Sequence, residues 1–174
     1  MCQNSKCMIT NDVVERACNE VSEYSEEQMG AEFERFFKSQ PDLCDFVVDA
    51  TSESDQQIQE LSLFLSYMVF KAVEINRPAD LATVSQSTIE AAYHQSEQWI
   101  ETINQTAVEE LQSIASNIGT EREPHLLQYV ISELNQPLED GTLLGDEQKG
   151  EVFFVLKTVI SSLSGRPFET KETQ

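Results

Sequence analysis

The sequence predicts an all-α protein: a single-domain bundle of six or seven helices around a central hydrophobic helix. Three observations carry this. Apolar residues recur at spacings of three and four along nearly the whole chain, and no segment alternates with the period of two that a strand requires. Helix-starting patterns punctuate those runs. The 174 residues include only 6 glycines and 5 prolines, too few for many short elements joined by turns.

Each element follows from its own residues. A first helix starts near Asn11 or Asp12 and carries Val13, Val14, Ala17, Cys18 and Val21 on one face. The second begins at Ser-Glu-Glu-Gln, where the Ser25 hydroxyl and the Gln28 amide can satisfy each other's backbone N–H groups in a capping box. Its apolar face is Met29, Phe33, Phe36 and Phe37. Pro41 suits the first turn of a third helix, where its missing N–H removes no hydrogen bond. The central helix runs over about 55–76, from Ser54 or Asp55 to Asn76, and Pro78 stops it. It is apolar nearly all round between Leu61 and Ile75, as expected of a helix enclosed by others, although part of it could form an oligomer interface.

A long amphipathic helix is predicted over about 88–118. Ser87 to Glu90 reads as its capping box, Gly119 as its stop, and its stripe is Ile89, Tyr93, Ser96, Ile100, Ile103, Ala107, Leu111, Ile114 and Ile118. A kink is expected near Asn104–Thr106. Pro124 opens the next helix, with Leu127, Val130, Ile131 and Leu134 inward. Pro137, Gly141 and Gly145 mark a loop. Asp146 caps the last helix, which buries Val152, Phe153, Leu156, Val159, Ile160 and Leu163. The ends, about 1–10 and 166–174, read as flexible tails.

Charge narrows the function classes. With 31 acidic against 11 basic residues the formal net charge is −20, which repels nucleic-acid phosphates and anionic lipid headgroups and suits a basic protein or a divalent cation. The longest apolar run, 61–73, is broken by Ser62, Ser66 and Lys71 and is too short for a bilayer span of about 20 residues. No secretory signal pattern is visible at the N-terminus, so a cytoplasmic location is expected. Cys2, Cys7, Cys18 and Cys44 are then expected as reduced thiols rather than disulfides or a zinc site.

Two clusters could carry chemistry. Asp42, Asp45 and Asp49 fall within an arc of roughly 60° on the third helix. Their oxygens could serve a hard cation such as Mg2+ or Ca2+, but they equally form the wet stripe of an amphipathic helix. Glu90, His94, Glu97 and Glu101 share an arc of the long helix, away from its stripe. The chain has no Glu-x-x-His pair of the kind that builds di-metal sites in bundles. His125 has no evident acid or thiol partner in the sequence, and no phosphate-binding loop or nucleophile elbow is present.

No catalytic residue, metal ligand or cofactor is therefore assigned. The sequence favours a helical protein–protein interaction or regulatory domain, working on another protein or by self-association, with no nucleic acid or membrane as partner. One alternative is a metal-dependent enzyme built on the carboxylates of Asp42, Asp45 and Asp49 or on Glu90, His94 and Glu97. It requires two acidic helices facing each other across a pocket. A third reading is an acidic imitation of nucleic acid that occupies a basic protein's binding site, which requires carboxylates gathered on one continuous face.

Overall fold

The computed structural model describes residues 8–78, 81–104 and 123–164, except for the side chains of Ile100 and of residues 102–104. The described residues form seven α-helices and no strand: α1 Asn11–Ser22, α2 Glu26–Ser39, α3 Pro41–Ala50, α4 Gln56–Asn76, α5 Gln86–Asn104, α6 Pro124–Leu134 and α7 Asp146–Leu163. The all-α bundle is as the sequence predicts. The continuation of the fifth helix to 118, its kink, residues 1–7 of the tail expected at about 1–10, and the tail at 166–174 lie outside the described residues, whereas Ile9, within the expected N-terminal tail, is 1% exposed.

The core is organised around α4. Every residue at 65–73 is buried, because α1, α2, α3 and α7 all pack against this helix. A polar group in that position needs a partner within the protein. Ser62 and Ser66 find theirs locally, donating to the carbonyls of Ile58 at 2.8 Å and Ser62 at 2.7 Å. Lys71 reaches outward instead: its Nζ lies 3.0 Å from Glu20 of α1 and 3.8 Å from Glu32 of α2. Tyr67 donates to Glu32 at 2.7 Å. Arg35 of α2 then binds Glu74 of α4 through both terminal guanidinium nitrogens at 2.8 Å, while also holding Glu32. Phe36 and Phe70, with centroids 4.9 Å apart, fill the space beneath this polar seam.

The second long contact joins α5 to α7. It uses small side chains, Ala92 and Ser96 from α5 against Thr158 from α7, all fully buried. The Thr158 hydroxyl bonds the Ser96 hydroxyl at 3.1 Å. Small residues bring the two backbones close, and the hydroxyl pair leaves no donor stranded. The chain is clasped further where Glu123, 5% exposed, accepts from the Ile9 N–H at 2.9 Å and approaches Arg77 at 3.8 Å.

Local details differ from the sequence reading at three points. The fifth helix begins two residues earlier than its apparent capping box. Ser85, not Ser87, is the cap, accepting from the Thr88 N–H at 3.3 Å, and Glu90 instead accepts from Gln86. At α7 the capping position is Gly145, whose N–H is bonded by the Gln148 side chain at 3.0 Å, so Asp146 sits inside the first turn. There its charge still favours the helix through the dipole. Phe37 is 39% exposed rather than inward, because the buried arc of α2 is narrow and centred on Phe36, against which Phe37 lies edge-on at 6.1 Å.

The polar seam over α4 makes stability depend on acid. The Arg35 guanidinium, helped by the Tyr67 hydroxyl, holds Glu32 down at about 2 against an ordinary 4.5. A carboxylate depressed in the folded state stabilises above its unfolded pKa, and that contribution disappears as pH falls through the folded value. Glu32→Gln is expected to lower unfolding free energy by about 2 kcal/mol at pH 7. In urea melts across a pH series the gap to the parent protein should close between about 4.5 and about 2.

Candidate functional site

The larger of two clefts among the described residues lies between α3, α5 and α7 and has a volume of about 810 Å3. It is assembled by the corner that joins α2 to α3. Gln40, 1% exposed there, donates to the Ala82 carbonyl at 3.0 Å and accepts from the Val84 N–H at 2.8 Å. Those two bonds pin the segment entering α5 against the start of α3, so the two helices flank one groove.

Five carboxylates line it: Asp42, Asp45 and Asp49 along α3, Glu90 on α5 and Glu151 on α7. The α3 aspartates face outward because Leu43, Cys44 and Val47 take the buried side of that helix. Glu151 accepts from the Ser54 hydroxyl at 2.6 Å. The floor is aromatic. Tyr93 of α5 stands edge-on to Phe154 of α7 at 5.1 Å and to Phe46 of α3 at 6.2 Å. Burial, with Glu97 nearby, pushes the Tyr93 hydroxyl up, so it remains a neutral phenol at physiological pH. Among the described residues, no lysine or arginine lines the cleft.

The two acidic clusters seen in the sequence are therefore divided. Asp42, Asp45, Asp49 and Glu90 come to one surface. His94, Glu97 and Glu101 do not line it; His94 Nδ1 lies 3.1 Å from Glu97 with its ring largely in solvent. Among the described residues no three His, Cys, Asp or Glu side chains are gathered closely enough to hold a metal ion. Carboxylates spread along a groove can attract cations collectively without forming a coordination shell.

A second cleft, of about 480 Å3, lies between α1 and α6. His125, without a partner in the sequence, shares it with Cys18, Tyr129 and Glu133. A thiol beside a histidine can be a nucleophile, but only as thiolate. Here burial pushes the Cys18 thiol up, and burial likewise raises Tyr129 and Glu133. The environment keeps all three groups protonated to higher pH, contrary to what nucleophilic catalysis needs.

Elsewhere among the described residues, few large apolar side chains are exposed. Large exposed hydrophobic side chains among the described residues are Met8, Phe37 and Leu143. Trp99 packs against Phe153 and lies under the Lys157 ammonium at 4.9 Å. Exposed acidic residues occur on α1, α2, α3, α4, α5 and α7. No described helix is long and apolar enough to cross a membrane. No protein-family model, curated protein or solved structure matches this chain.

Thiol reactivity checks the second cleft. In a Cys2→Ser, Cys7→Ser background, Cys18 is expected to react with iodoacetamide at neutral pH more slowly than free cysteine. Cys44, fully buried and pushed up to about 12, should react only on unfolding. A Cys18 that outpaces free cysteine would restore a catalytic role to that cleft.

Proposed function

We propose that this chain is a non-catalytic, protein-binding or regulatory module and that the cleft between α3, α5 and α7 is its working face. The observation that carries this reading is the pairing of five carboxylates with an aromatic floor and no cation among the described lining residues. Interfaces draw affinity from a desolvated aromatic centre, and complementary charge around it steers the partner and rejects wrong ones. A groove that is negative along both walls selects a positively charged protein surface. The dispersed carboxylates favour this reading over a metal-dependent enzyme, whose ion would need several oxygens at coordination distance.

Zero-length carbodiimide coupling, which joins a carboxylate to a lysine amine in direct contact, tests the assignment in native extract. Couplings to lysines of another protein are expected at Asp42, Asp45, Asp49, Glu90 and Glu151. The exposed Glu26 and Glu27 of α2 serve as controls on the same molecule. Couplings spread evenly over α2 and the cleft would show that the face has no special role.

A further inference from the structure

Resting on that reading, we infer that the cleft receives its partner as an amphipathic α-helix whose apolar stripe is flanked on both sides by lysine or arginine. The first argument is the spacing of charge along the wall. Asp42, Asp45 and Asp49 are successive residues of one face of α3, separated along its axis by about 4.5 and then 6 Å. A second helix laid beside α3 shares the same rise per residue, so cations at its own three- and four-residue spacings stay in step with the aspartates. An extended segment presents side chains on one face about every 6.6 Å. Over the span of the aspartates it falls out of step by a sizeable part of that interval.

The groove itself supplies the second argument. Its walls are two helices and its floor is the Phe154 and Val155 face of a third. Side-chain ridges on helices leave grooves that another helix fills. The apolar stripe of the incoming helix would cover Phe46, Tyr93 and Phe154, and its basic flanks would meet Asp42, Asp45 and Asp49 on one side and Glu90 on the other. Long basic side chains suit this position because their stems can lie on aromatic rings while their cations reach carboxylates. Other occupants fit poorly on charge: a second copy of this chain brings a formal charge of −20, and an anionic membrane is repelled likewise.

Three synthetic peptides of about 18 residues, long enough to form a helix, test the inference against the full chain. One is a lysine–leucine amphipathic helix, one has the same composition with a central Pro-Gly, and one carries glutamate in place of lysine. Amide chemical shifts report where each binds. The helical lysine peptide is expected to shift resonances of α3, α5 and α7, to weaken with added salt, and to lose affinity by about tenfold or more against Asp45→Lys, Asp49→Lys. The interrupted peptide should bind at least about tenfold more weakly, and the glutamate peptide should leave the cleft unchanged. Equal binding by the interrupted peptide at the cleft overturns the helix and leaves the binding face standing. Failure of both lysine peptides to shift the cleft, with carbodiimide couplings still mapping there, also overturns the helix alone; couplings elsewhere overturn both.

Discussion

The enclosure of α4 governs the rest of the structure. A helix buried on every side over residues 65–73 must be covered by several others, which is why α1, α2, α3 and α7 converge on it. Lys71 within that run imposes a further condition. An ammonium taken out of water needs carboxylates brought to it, and removing one partner of such a pair is strongly destabilising. Glu20 and Glu32 meet that need, and Arg35 offsets the excess negative charge they gather. The interactions that cover α4 therefore also fix how α1 and α2 sit on it.

That arrangement uses positive charge sparingly available in this chain. Arg35 and Lys71 lie in the seam over α4, Arg77 approaches buried Glu123, and Lys157 sits over Trp99. Lys38 and Lys149 bond Glu34 and Asn135. Among the described residues, those that line the cleft between α3, α5 and α7 include five carboxylates and no lysine or arginine. Its negative potential is thus a product of where the fold places its cations, and not only of a net charge of −20.

Much of the fold was legible because helix signals are local. The Ser25–Gln28 box, Pro41 and Pro124 each start a helix where the sequence places one, and the apolar run of α4 announces its own burial. The errors are local as well. Ser85 and Ser87 are both residues that can cap a helix, only Ser87 heads a capping-box pattern, and the backbone geometry nevertheless selects Ser85. The site was half legible. Periodicity shows that Asp42, Asp45 and Asp49 share a face, but it carries no information about which other helix that face meets. Glu90 and Glu151 reach the same groove through packing of α5 and α7, and His125 comes to line one cleft with Cys18 through packing of α1 on α6. The buried Lys157 was invisible for a related reason: a cation reads as a surface residue until an aromatic ring from another helix covers it.

If the acidic cleft serves a partner, its carboxylates repel one another and its negative charge is not placed for the fold alone, although Glu151 accepts from Ser54 and Glu90 from Gln86. Asp49, next to the C-terminal end of α3, also opposes the helix dipole. The most direct measurement is urea unfolding of the Asp45→Asn, Asp49→Asn, Glu90→Gln protein at low and high salt. The expected result is a variant more stable than its parent at low salt by about 0.5–1 kcal/mol, with the gain fading as salt screens the repulsion. A variant less stable than its parent, at either salt concentration, would mean that these carboxylates hold the bundle together and would contradict the assignment of the cleft as a binding face.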